Sequence, residues 1–137
     1  MAWLYATPRP PAESRRHETF DLAKALTRYA QMKKDGFVPQ MPPNPMPHVI
    51  DRLTEIGLTG SNGMSAVPLP WGEIYAWQQN THVRLSSWES RLIRSLSTEY
   101  VSESRRAECE TCPPPWLGEV TEADKAAEIA ILDAILD

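Results

Sequence analysis

Residues 85–101, Leu-Ser-Ser-Trp-Glu-Ser-Arg-Leu-Ile-Arg-Ser-Leu-Ser-Thr-Glu-Tyr-Val, decide the fold class. Ser86-Ser87-Trp88-Glu89 has the form of a capping box, in which the serine oxygen takes a first-turn N–H and the glutamate reaches back to the cap. Behind it Trp88, Leu92, Leu96 and Tyr100 recur at i, i+4, with Ile93 and Val101 alongside. This is the stripe of a helix with one apolar face, and it predicts a helix to about residue 103. Just upstream, Trp71, Ile74 and Trp77 fall at i, i+3, i+6 behind Pro70, a residue tolerated in a first turn. Glu73 sits where the helix dipole favours a carboxylate. A second helix is therefore expected from residue 70 to about 80. Trp71, Trp77 and Trp88 are expected to form the core between the two helices. Any of them left exposed would mark a partner site, because tryptophan is enriched at interface hot spots.

Working outward, residues 57–68 read as a loop with a turn at Asn62-Gly63. A short helix is expected over 48–56, with Val49, Ile50, Leu53 and Ile56 on one side and Gly57 as its stop. Before it, residues 38–47 form a proline-rich stretch suited to an extended, stiff connector. The spacing of Phe20, Ala23, Leu26 or Thr27, and Ala30 predicts a helix from about 16 to 34, ending at Gly36. Pro8, Pro10 and Pro11 make residues 1–14 an irregular arm that Trp3, Leu4 and Tyr5 could anchor. Beyond the central helix, residues 107–118 hold Cys109, Cys112 and three consecutive prolines, an extended stretch. Thr121 is placed to cap a last helix carrying Ala126, Ile129, Ala130, Leu132, Ile135 and Leu136. Its apolar face is broader than a lone exposed helix should show, so it either packs on the domain or pairs with another chain. The expected architecture is all-α: an irregular bundle of about five short helices joined by proline-rich extended segments. Its parts are an arm over 1–14, a helical domain over 15–104, an extended Cys/Pro segment over 105–120 and a terminal helix over 121–137.

Composition narrows the function. The 137 residues suit one small domain, with 42% hydrophobic residues but 13 prolines and only 6 glycines. The net charge is −4 with the basic residues dispersed, against the basic stripe of a nucleic-acid binder. No stretch reaches the apolar length of a membrane span. The apolar start lacks the marks of a signal peptide, so a cytoplasmic protein is expected.

Chemistry-bearing motifs are sparse. His17, His48 and His82 lie in separate segments and read as surface residues. Cys109-Glu-Thr-Cys112 has Cys-x-x-Cys spacing, but a structural zinc site needs four ligands and the chain has one such pair. The thiols read first as incidental, with a metal or redox role less favoured. The glycines at 57, 60 and 63 do not make a phosphate loop, and no hydrolase elbow or metalloprotease helix is present. The serines at 86, 87, 95, 97, 102 and 104 read as caps and exposed positions. No catalytic residue, cofactor or metal is expected, and the chain reads as a binding protein rather than an enzyme.

Residues 69–101 carry a resemblance. Leu69-Pro-Trp-Gly-Glu-Ile-Tyr-Ala-Trp77, a short linker, and the stretch quoted first resemble small proteins of tailed bacteriophages and prophages, in particular the downstream portion of tail assembly chaperones. The resemblance implies transient binding of the tail tape-measure and tail-tube proteins in the host bacterial cytoplasm. The partner-binding residues it suggests are Trp71, Ile74, Trp77, Trp88, Leu92, Leu96 and Tyr100. Two alternatives fit the same helices: a small structural virion protein of the tail-completion or connector kind, and a metal-binding regulatory adaptor using the two cysteines.

Overall fold

The computed structural model describes residues 1–116 and 121–136. Within them the chain is mostly helical, with seven helices and one two-stranded hairpin: α1 (Ala2–Tyr5), α2 (Arg15–Glu18), α3 (Arg28–Asp35), α4 (Pro47–Ile56), β1 (Gly60–Ser61), β2 (Ala66–Val67), α5 (Trp71–Thr81), α6 (Ser87–Arg106) and α7 (Glu122–Leu136). The expectation of a purely α bundle is corrected by the hairpin. It is antiparallel, with Gly60 opposite Val67 and Ser61 opposite Ala66. The turn at Asn62-Gly63 was legible in the sequence. The Asn62 carboxamide oxygen closes it by accepting from the N–H groups of Met64 and Ser65.

The 20-residue helix α6 is the spine. Ser86 caps it, its hydroxyl oxygen accepting from the Glu89 N–H at 3.1 Å. The expected reciprocal half of the box is not made. The Glu89 carboxylate instead takes Arg52 of α4 at 3.0 Å, with both side chains half-buried. The helix also runs to Arg106, past the predicted end. It packs with α4, with strand β2 of the hairpin and with α1, which also packs on α3. The core joins Val49 and Leu53 of α4, Leu69, Ile74 of α5 and Ile93 of α6, with Met46, Ile56, Leu58, Leu85, Leu92 and Leu96 packed around it.

Two expectations at the amino-terminal end are corrected. Residues 2–5 are helical, and Ala2 and Leu4 are buried, so the arm is docked rather than irregular throughout. The single helix expected over 16–34 is two helices separated by turns. Local side-chain bonds compete with a continuous ladder there. Asp21 accepts from the Ala23 N–H through its carboxylate, and Thr27 accepts from Ala30 N–H and starts α3 afresh. The proline-rich stretch precedes α4 as expected, with Pro47 as a first-turn residue. At the other end, the part of the extended Cys/Pro segment over 117–120 and the last residue of the terminal helix, 137, lie outside the described residues.

Two polar side chains are buried where an apolar residue would be the default. Ser97 is fully buried on α6. Its hydroxyl donates to the Leu58 carbonyl at 2.6 Å and accepts from the Leu69 N–H at 2.9 Å, pinning both ends of the hairpin segment to the helix. The expectation that Ser97 lies on an exposed face is overturned by these bonds. Arg28 is 8% exposed and, among the described residues, has no carboxylate against it. Its guanidinium donates to the carbonyls of Trp3 at 3.1 Å, Ala107 at 2.6 Å and Cys109 at 2.9 Å. It also lies over the Trp3 ring, 4.6 Å from the centroid. A cation at the carbonyl end of a helix meets the negative end of its dipole. Arg28 is thus the cap of α6 and the joint between α1, α3 and the segment that follows α6.

Candidate partner-binding surface

The seven residues suggested for partner binding divide between core and surface. Ile74 is 1% exposed and belongs to the core. Leu92 and Leu96 are half-buried against that core. Tyr100 is half-buried too, and burial, with a smaller contribution from Tyr5, pushes its phenol above the usual value. Trp77 is half-buried, and its buried indole nitrogen has no hydrogen-bond partner among the described residues. Trp71 and Trp88 stand out at 52% and 56% exposed. The expectation of a tryptophan core between α5 and α6 is therefore corrected, since small and branched aliphatic residues close that core.

The buried positions of α6 are Ile93, Ser97 and Val101. They form an i, i+4, i+8 stripe one residue along from Trp88, Leu92, Leu96 and Tyr100. That single-residue offset turns the helix by about 100° and carries Trp88 away from the core while Leu92 and Leu96 stay on its flank. On α5, Ile74 faces inward, and Trp71 and Tyr75, four residues apart, are both exposed. The Arg94 guanidinium of α6 lies over the Trp71 ring at 5.4 Å from the centroid. A cation on an indole face holds that ring in place without covering its other face.

The two helices turn at His82, whose φ of 57° closes α5 in the left-handed region. Gln78 supports this corner, its side-chain oxygen accepting from the Leu85 N–H at 2.9 Å. Tyr75, Gln79, His82 and Arg84 line a hollow beside it. The two helices and the corner between them thus expose aromatic rings at Trp71, Tyr75 and Trp88 and carry cations at Arg84, Arg91 and Arg94. Such a composition favours protein contact: large rigid rings supply area, and arginines supply directional donors.

A second apolar surface is α7. Every described residue of it is exposed, with Ile129 at 58%, Ile131 at 61%, Leu132 at 55%, Ile135 at 73% and Leu136 at 82%. Its start is built as the sequence suggested. The Thr121 hydroxyl accepts from the Asp124 N–H, and the Asp124 carboxylate accepts from the Thr121 N–H and hydroxyl. Those bonds hold the Asp124 carboxyl below its usual value.

The cysteines lie in a turn just beyond α6, closed by the Cys112 N–H donating to the Cys109 carbonyl at 3.1 Å. Both are free thiols. Among the described residues no group of three or more His, Cys, Asp or Glu side chains is arranged to hold a metal ion. Among the same residues no helix is long and apolar enough to cross a membrane. The residues that sequence reasoning missed are Arg28 and Ser97. The only sequence trace of either was a polar residue within an otherwise helical stretch.

No family model, curated protein or solved structure matches the chain.

Proposed function

We propose that this chain is a binding factor of the tail-assembly-chaperone kind, engaging tape-measure or tail-tube proteins transiently in the host bacterial cytoplasm. The observation that carries the proposal is the exposure of Trp71 and Trp88 on α5 and α6, within the segment that resembles those chaperones. A half-exposed indole offers a partner a large rigid apolar area, and aromatic anchors of this kind dominate binding energy at interfaces. Tyr75 on α5 and the arginines at 84, 91 and 94 add exposed aromatic area and donors to the same helix pair. The exposed aliphatic face of α7 supports the proposal independently, because helix faces laid into a partner's groove are a recurrent recognition mode. The role is binding rather than catalysis.

The test is affinity capture of the tagged full-length chain from cells that also express the neighbouring genes, with bound proteins identified by mass spectrometry. Recovery of a long helical tape-measure protein or a tube subunit supports the proposal. Recovery of the chain alone, together with its presence in purified virions, replaces it with the structural-subunit alternative.

A further inference from the structure

The turn at Cys109–Cys112 brings together features that the binding proposal does not use. Its i to i+3 hydrogen bond, from Cys112 N–H to the Cys109 carbonyl, closes a β-turn. Such a turn holds the end Cα atoms within about 7 Å, and a disulfide spans about 4.4–6.8 Å between Cα atoms. Both side chains line one shallow hollow with Arg106 and Thr111. Cys109 is exposed and Cys112 partly so, so a small reagent reaches either.

The surroundings favour a thiolate at Cys109. Its sulfur lies 3.1 Å from the Thr111 hydroxyl. That contact first, then the Thr111 N–H and in lesser part the Cys112 N–H, draws the Cys109 thiol below its usual value, against opposing effects of desolvation and Glu110. The Glu110 carboxylate is itself taken by Arg16 at 2.6 Å. The negative end of α6 would also oppose a thiolate, and Arg28 neutralises it by binding the Ala107 and Cys109 carbonyls.

We propose that Cys109 and Cys112 form a thiol–disulfide exchange site for low-molecular-weight disulfides. The Cys109 thiolate attacks one sulfur of the small disulfide, forming a mixed disulfide and releasing one thiolate. The Cys112 thiolate then attacks Cys109 Sγ, displacing the second small thiolate and closing an internal disulfide. The two protein thiols are oxidised, one small disulfide is reduced to two thiols, and the two protons go to the released thiolates. The same turn anchors the amino-terminal segment, because the Cys109 carbonyl holds Arg28 and the Cys112 carbonyl accepts from the Trp3 indole N–H at 3.0 Å.

The experiment treats the full chain with oxidised glutathione and follows it by intact mass and peptide mapping. The wild type should end as a Cys109–Cys112 disulfide, lighter by two hydrogens and free of adduct. Cys112→Ser should retain one glutathione, on Cys109. The native chain should react faster than the urea-unfolded chain, which keeps the sequence motif but loses the turn. Stable adducts on the wild type, disulfide-linked dimers, unreacted thiols, or a native rate no faster than the unfolded one would each overturn the proposal. Circular dichroism of Cys112→Ser checks that the substitution, at a partly exposed position, leaves the fold in place.

Discussion

Replacing Arg28 with methionine keeps an unbranched apolar stem but removes the guanidinium, with its charge and donors. The Ala107 carbonyl, bound by Arg28 at 2.6 Å in a buried setting, loses its partner. A buried acceptor left unsatisfied costs about 1–3 kcal/mol. The Trp3 and Cys109 carbonyls are only partly buried, so water replaces some of what they lose. The stacking on Trp3 adds about 1 kcal/mol. Against these losses, the variant no longer holds an unpaired cation out of water, which returns part of the cost. The net expectation is a destabilisation of about 3 kcal/mol, a large share of the roughly 5–15 kcal/mol that holds a small domain folded. In a chain of this size that corresponds to roughly 10 °C in melting temperature. Urea unfolding followed by circular dichroism and tryptophan fluorescence measures it. Arg28→Lys should fall between, because one ammonium cannot span three carbonyls as a guanidinium does. Amide exchange should quicken at the end of α6 before it does so at α4 or α5. A stability change under about 0.5 kcal/mol, the range of ordinary surface substitutions, would refute the role given to Arg28.

Three other outcomes are expected. Ser97→Ala removes the bond to the Leu58 carbonyl and the acceptor for the Leu69 N–H, and should cost about 1–3 kcal/mol in urea unfolding despite being a small change. Ile74→Ala, at a position 1% exposed, should cost about 2–5 kcal/mol through the cavity it leaves, again read in urea unfolding. Alkylation of Cys109 should continue to lower pH in the native chain than in the unfolded chain. The sign follows from hydrogen bonds that favour the thiolate, and iodoacetamide rates across pH, mapped by mass spectrometry, check it.

The helices of the carboxyl-terminal half were legible in the sequence because their signals are local. Pro70, Ser86 and Thr121 each mark a helix start by chemistry confined to one turn, and Gly57 marks an end. The amino-terminal third was misread because Asp21 and Thr27 interrupt an apolar period that looks continuous over 16–34. Hairpin strands of two residues leave no periodicity to detect. The spacing that grouped the seven residues suggested for partner binding did not sort them between core and solvent. Size suggested that Trp71 and Trp88 were core. The structure buries Leu69, Ile74 and Ile93 instead, and Ser97 occupies the middle of the buried stripe of α6, where a polar letter hides the true face. Arg28 could not have been found by spacing at all. The carbonyls that bury it belong to Trp3, Ala107 and Cys109, and only the folded chain brings them together.

The most direct measurement compares wild type with Trp71→Ala, Trp88→Ala and the double variant in affinity capture of tape-measure and tube proteins, with melting temperatures recorded in parallel. Trp71 and Trp88 are more than half exposed, so each variant should melt close to wild type. Capture should weaken by tenfold or more for the double variant, as loss of about 2 kcal/mol at a hot spot requires. Undiminished capture by a folded double variant, or no capture of either partner by the wild type, would contradict a role for this surface in tail assembly.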